Sequence, residues 1–124
     1  MYIWPDGRKY EGEWRQNKLH NKGVYTWPDG RKYDGCYIDD KKHGLGVYIW
    51  PDGKKYEGYW YNGKQHGQGR FTNTQGKSRV GLWVKGERIK WMPNGVTEIE
   101  NLDPEQLIAE YPQANHVTHE EHNN

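Results

Sequence analysis

The heptapeptide Trp-Pro-Asp-Gly-Arg-Lys-Tyr at residues 4–10 recurs at residues 27–33, and again at residues 50–56 with lysine in place of the arginine. Each copy begins 23 residues after the previous one, so the chain carries an internal repeat. Other columns keep the same step: the glycines Gly12, Gly35, Gly58 and Gly81, and the histidines His20, His43 and His66. A fixed spacing in so many columns indicates an array of stacked units.

Each unit has the pattern of two β-strands joined by tight turns. Side chains alternate with a period of two, which places Tyr56, Gly58 and Trp60 on one face of a strand. Pro-Asp-Gly forms one turn, because proline presets φ and glycine accepts a positive φ. The other turn falls in a column of residues that tolerate the left-handed region: Asn17, Asp40, Gly63 and Gly86. The sequence therefore predicts an all-β fold, a single-layer twisted antiparallel meander of 23-residue hairpins.

Aromatic residues must supply most of the core. The chain has 7 Trp, 10 Tyr and 1 Phe, whereas all hydrophobic residues together make only 32% of it. Rings and glycines alternate on one face, so each ring can lie over the bare backbone of a neighbouring glycine and bury it. At about 25 cal/mol per Å², a buried aromatic side chain contributes a few kcal/mol. We expect these ladders to hold the sheet together without a second layer, with the glycines in a structural role.

The distribution of charged residues divides the chain near residue 95. Residues 1–95 contain all 18 Lys and Arg with 10 acidic residues, and residues 96–124 contain 7 acidic residues and no Lys or Arg. We assign the repeat array to the first part and an acidic segment to the second. Asp103 followed by Pro104 predicts a short helix over about 103–111, and a flexible tail that contains histidine follows it. We expect this helix to cap the last rung, and docking on a partner is the alternative.

The repeat degenerates before this boundary. Arg79 stands in the tyrosine column, Ile89 stands in the histidine column, and the Met-Pro-Asn-Gly turn at residues 92–95 arrives four residues early. The array is therefore predicted to end there.

The stretch Tyr56-Glu57-Gly58-Tyr59-Trp60-Tyr61-Asn62-Gly63-Lys64-Gln65-His66-Gly67-Gln68-Gly69 resembles the MORN repeat, whose pattern is Tyr-Glu-Gly-x-Trp-x-x-Gly-x-x-His-Gly-x-Gly. The resemblance covers about residues 1–92, with three full units and partial units at each end. It implies a non-enzymatic scaffold that binds a protein partner, in a cytoskeletal, ciliary or membrane-associated assembly. An accessory subunit of an enzyme complex is an alternative that the resemblance also allows.

The aromatic and glycine face is the first candidate binding surface. We expect it to form a groove for a helix, an extended peptide or a second copy of the chain. The same rings could serve only to pack on one another, and we expect both roles to hold. The predicted groove residues are Tyr10, Trp14, Tyr25, Trp27, Tyr33, Tyr37, Tyr48, Trp50, Tyr56 and Trp60.

A basic edge beside the Pro-Asp-Gly turns is the second candidate surface. Such a ladder can attract anionic lipid headgroups with about 1 kcal/mol per basic residue, which makes a peripheral membrane module the alternative function. A solvated edge that prevents edge-to-edge aggregation is the favoured interpretation. Nucleic acid is not expected as a partner, since the sequence pI is about 7.8. The edge residues are Arg8, Lys9, Arg31, Lys32, Lys54 and Lys55.

No catalytic residue, metal or cofactor is expected. Equivalent histidines lie two strands apart, ~9.6 Å at ~4.8 Å per strand, which is too far for shared ligation of one ion. The tail run from His116 to His122 is a better source of ligands, although a solvated tail is favoured. A single cysteine, Cys36, with no signal-peptide pattern and no apolar run of membrane-spanning length, predicts an intracellular, cytoplasmic setting.

Overall fold

The computed structural model describes residues 1–116, which form one open antiparallel sheet of nine strands followed by a short helix. Every strand pairs with the next one along the chain, so the predicted all-β meander is confirmed. The strands are β1 (Tyr2–Ile3), β2 (Lys9–Arg15), β3 (Lys18–Thr26), β4 (Lys32–Ile38), β5 (Lys41–Ile49), β6 (Lys55–Tyr61), β7 (Lys64–Thr72), β8 (Ser78–Val84) and β9 (Glu87–Trp91). The helix α1 (Pro104–Glu110) and a 3-10 helix (Pro112–His116) complete the described chain.

Two kinds of turn connect the strands. At the Pro-Asp-Gly turn the Trp27 N–H donates to the Arg31 carbonyl at 3.0 Å, and Gly30 has a φ of 103°. At the other turn both central residues are left-handed, with φ of 48° at Asp39 and 72° at Asp40. These angles define a type I′ turn, whose twist matches that of the two strands. The sequence predicted the second left-handed residue of each such turn and missed the first.

Facing glycines allow a tyrosine ring to lie directly on the sheet. Gly58 pairs with Gly69 across β6 and β7, and a Cβ added to Gly69 would lie 2.3 Å from the Tyr56 ring. The Tyr56 hydroxyl donates to the Tyr59 carbonyl at 3.0 Å. Strand pairing shifts between Gly58 and Trp60, so Tyr59 lies at a β-bulge and the hydroxyl satisfies a backbone group that is left out of the ladder.

The tryptophan column joins each unit to the unit before it. Trp60 is 3% exposed, and its ring centroid lies 5.5 Å from that of Tyr33 in the preceding unit and 5.4 Å from that of Tyr56. Its indole N–H donates to the Gly46 carbonyl at 3.2 Å. Edge-to-face pairs of this kind add to the energy of area burial. The predicted ladder of rings and glycines therefore forms the main core of the protein.

The array ends through a shortened strand. β9 has five residues where β3, β5 and β7 each have nine, which accounts for the four residues missing from the last unit. Trp91 pairs with Gly81 at the position where other units pair two glycines. Its ring packs 6.0 Å from that of Trp83, and the Arg79 guanidinium lies 5.2 Å from its centroid. Trp91 thus supplies an aromatic ring to the last unit, in which Arg79 replaces the tyrosine of the earlier units.

The C-terminal segment lies on a face of the last hairpins. Asp103 is the N-cap of α1, as predicted, and its carboxylate accepts the Glu105 N–H at 3.0 Å. Leu107 packs in a small aliphatic cluster with Leu82 and Val84 of β8, separate from the aromatic core. Ile89 of β9 packs against the same cluster, so the helix covers a face of the last hairpin and the predicted short C-terminal capping helix is confirmed. The predicted flexible tail, with His119 and His122, lies outside the described residues.

Candidate functional site

The aromatic face opens in its N-terminal half into a cleft of about 750 Å³. We call this space the aromatic cleft. Its aromatic and aliphatic lining is Tyr2, Trp4, Trp14, Leu19, Tyr25, Trp27 and Tyr37, its polar lining is Asn17, Asp40, Lys41 and Lys42, and Gly63 completes it. An apolar concavity with a few polar groups along it is typical of binding sites.

Two rings of the cleft are unusually accessible. Trp14 is 44% exposed, whereas Trp60 in the same column is 3% exposed. The difference arises because Trp60 packs on Tyr33 of the preceding unit, while Trp14 packs edge-on against Tyr10 and Tyr2. Tyr2 is itself 48% exposed. The cleft therefore presents aromatic area that the repeat buries in its later units.

The predicted groove residues divide into four that line the cleft and six that do not. Trp14, Tyr25, Trp27 and Tyr37 line the cleft. The other six lie in ring-to-ring contacts of the core or packed against it, and none of them lines the cleft. Those six are Tyr10, Tyr33, Tyr48, Trp50, Tyr56 and Trp60.

Several cleft residues were missed by sequence reasoning, namely Tyr2, Trp4, Leu19, Lys41 and Lys42. Trp4 stands in the same column as the predicted Trp27 and Trp50, so the repeat itself could have indicated it. At the position of Lys42, the preceding unit has Leu19 and the following unit has Gln65. The change from a neutral to a charged residue was the available signal.

Lys42 is held over three aromatic rings. Its ammonium lies 5.6 Å from the centroid of Tyr33, 5.5 Å from that of Tyr48 and 5.4 Å from that of Trp60. Burial is the main cause that lowers the pKa of Lys42, and the nearby positive charge of Arg31 lowers it further. Cation–π attraction offsets part of the desolvation cost. No carboxylate of residues 1–116 forms an ion pair with this ammonium.

Asp40, which precedes the two lysines, is engaged with the backbone. Its carboxylate accepts the Leu19 N–H at 2.7 Å, and its own N–H donates to the Leu19 carbonyl at 3.0 Å. The backbone half of this contact recurs in later units, where the Gly63 N–H donates to the Lys42 carbonyl at 2.9 Å. Each hairpin turn is thereby hydrogen-bonded to the previous unit, and the Asp40 carboxylate takes part in that contact.

The basic edge is largely neutralised by its own turns. Arg8 pairs with Asp6 at 2.8 Å, and Arg31 pairs with Asp29 at the same distance. The Arg31 backbone N–H, with help from its guanidinium, holds the pKa of Asp29 below its usual range. The same guanidinium also lies 4.9 Å from the centroid of Trp27.

The remaining edge lysines divide into paired and exposed groups. Lys54 pairs with Asp52 at 3.6 Å, and Lys55 pairs with Glu57 at 3.8 Å. Lys9 and Lys32 are exposed, and neither has an ion pair with a described residue. Four of the six predicted lipid-binding cations are therefore paired within the chain, which weakens the field that the edge presents to a membrane.

The histidine column packs turns together. His66 is 2% exposed, its Nδ1 accepts the Lys85 N–H at 2.9 Å, and its Nε2 lies 2.9 Å from the Pro104 carbonyl. These partners place the ring proton on Nε2, because Nδ1 must accept. Burial is the main cause that lowers the pKa of His66. Within residues 1–116, no group of three or more His, Cys, Asp or Glu side chains is placed to hold a metal ion.

A single sheet built from 23-residue hairpins of rings and glycines defines a β-hairpin repeat protein. The MORN repeat family matches residues 10–30, 33–55 and 56–78, more than half of the chain, and the chain belongs to this family. A search of the curated proteins found no match. Scaffolds that bind proteins and membranes are known to contain MORN repeats, and this all-β fold is typically non-enzymatic. In residues 1–116 no helix has the length and apolarity needed to cross a membrane.

Proposed function

We propose that the chain is a non-enzymatic scaffold whose aromatic cleft binds a short helix or extended peptide of a protein partner. The exposure of Trp14, in a column whose later members are buried, carries the proposal. Accessible rings that are fixed by neighbouring rings lose little conformational entropy on binding, and for this reason they often act as anchors in interfaces. The family resemblance supports a place in a cytoskeletal, ciliary or membrane-associated assembly.

The shape and chemistry of the cleft support a peptide ligand. Its volume of about 750 Å³ is enough for a few side chains, and its apolar lining extends from Tyr2 and Trp4 to Trp27. A helix or strand lying along this row could place successive apolar side chains against it. The basic edge contributes less to the proposal, because four of its six cations are already paired with carboxylates of the chain.

A peptide-display selection tests this function. Random dodecapeptides are selected on the immobilised chain, and their affinities are then measured by fluorescence anisotropy. We expect Trp14→Ser to weaken the selected peptides at least about tenfold, as the loss of an interface anchor does. Leu45→Ser is the matched control, since Leu45 is 49% exposed and does not line the cleft. Circular dichroism of both variants checks that the sheet is kept.

Two results would contradict the function. The first is that the selection recovers no peptides. The second is that the peptides it recovers bind the Trp14→Ser and Leu45→Ser variants equally well.

A further inference from the structure

One lip of the aromatic cleft carries two cations that form no ion pair within the described residues. Lys41 and Lys42 both line the cleft, and neither has an ion pair with any residue from 1 to 116. The nearest acidic neighbour in the chain, Asp40, directs its carboxylate to the Leu19 N–H. The turn edge differs, because Arg31 and Lys54 are paired with the aspartates of their own turns.

The positive charge of Lys42 is not required by the fold. The equivalent residue one unit earlier is Leu19, which is 7% exposed, and one unit later it is Gln65, which is 5% exposed. A neutral side chain therefore fills this position in both neighbouring units. Moving an ammonium out of water has a free-energy cost that leucine and glutamine avoid, and the three rings offset it only in part. A ligand carboxylate that paired with the ammonium would offset more of this cost.

We propose that the occupant of the aromatic cleft is an acidic peptide segment, with one bulky apolar side chain against Trp14 and a carboxylate on Lys42 Nζ. The inference rests on the proposed function and adds the chemistry of the partner. Lys41, next along the lip, receives a second carboxylate where the segment has one. A partner carboxylate that meets the partly desolvated Lys42 ammonium forms a strong charge-assisted contact, which favours acidic partners over neutral or basic ones.

The selected dodecapeptides test this chemistry directly. We expect them to be enriched in Asp and Glu beside an aromatic or branched aliphatic residue, relative to the unselected library. Lys42→Gln should raise their Kd at least about tenfold, since the loss of one member of a desolvated charge pair weakens binding by that much or more. This variant should fold, since Gln65 fills the equivalent place. Lys54→Gln is the matched control and should leave Kd unchanged, because Lys54 is already paired with Asp52.

A double-mutant cycle assigns the contact to one carboxylate. For each selected peptide, every acidic residue is replaced in turn by its amide. One replacement should weaken binding to the native chain about tenfold and have little effect on binding to the Lys42→Gln variant. Binding should also weaken as salt is added, since part of the attraction is screened.

The outcomes separate the two proposals. Neutral or basic peptides that bind and lose affinity with Trp14→Ser would overturn the acidic partner and leave the proposed function intact. Acidic peptides whose affinity is the same for the native chain and for Lys42→Gln would also overturn the proposal of an acidic partner. Recovery of no peptide that depends on Trp14 would overturn both.

Discussion

The contact between the Tyr56 ring and Gly69 provides a quantitative test of how the sheet is stabilised. In Gly69→Ala the new Cβ would lie 2.3 Å from Cε1 of Tyr56 and 2.4 Å from its Cζ. Carbon atoms normally approach to about 3.5–4.0 Å, so the ring must move by more than 1 Å. It has no free space, because it is fully buried and Trp60 and Trp83 pack on it with centroids 5.4 and 4.9 Å away.

The cost of Gly69→Ala can be built from three contributions. Overpacking of a filled core costs about 1–3 kcal/mol. Displacement of the ring also breaks the hydrogen bond from the Tyr56 hydroxyl to the Tyr59 carbonyl, which is worth about 1 kcal/mol. The lower entropy of the unfolded alanine chain returns about 0.5–1 kcal/mol. The free energy of unfolding should therefore fall by about 2 kcal/mol, and the melting temperature by roughly 10 °C.

Urea denaturation followed by tryptophan fluorescence measures this change. Gly63→Asn is the control, because Asn17 occupies the same column and no atom lies within 4 Å of a Cβ added to Gly63. It should change stability by less than about 0.5 kcal/mol. In a Tyr56→Leu background the cost of Gly69→Ala should fall by about 1 kcal/mol or more. An equal cost in both backgrounds would refute the steric explanation.

Three further predictions concern other parts of the chain. Trp60→Ala should lower the free energy of unfolding by about 3–5 kcal/mol, and Trp14→Ala should lower it by less than half of that, because only the Trp60 ring is fully packed. Equal melting temperatures for the two variants would contradict this. Burial lowers the folded pKa of His66 below its ordinary 6.5, so the unfolded chain binds more protons as pH falls. The contribution of His66 to the unfolding free energy should be complete above pH 6.5 and decrease below it, and His66→Gln should flatten this dependence in urea titrations. Asp103→Ala removes the N-cap contact to Glu105, worth about 1 kcal/mol, and hydrogen exchange should accelerate in α1 while the sheet stays protected.

The candidate site could be predicted only in outline. The aromatic face was identified from columns, and four of its ten predicted residues line the cleft. Trp14 and Trp60 occupy the same column, so no local pattern distinguishes the exposed ring from the buried one. The position of the Lys42 ammonium over the aromatic rings could not be predicted for a related reason, because those rings come from three different strands.

The local features of the fold were readable along the chain itself. Turn residues reveal where φ must be positive, a period of two reveals strands, and Asp103 with Pro104 reveals a helix start, so the hairpins and α1 were predicted from the sequence alone. Burial, charge pairing and the face that α1 covers depend on what lies beside a residue in the next unit or the C-terminal segment. Only the tertiary structure brings those neighbours together, and it therefore decided that Trp14 stays accessible and that the Lys42 ammonium rests on three rings without a carboxylate among the described residues.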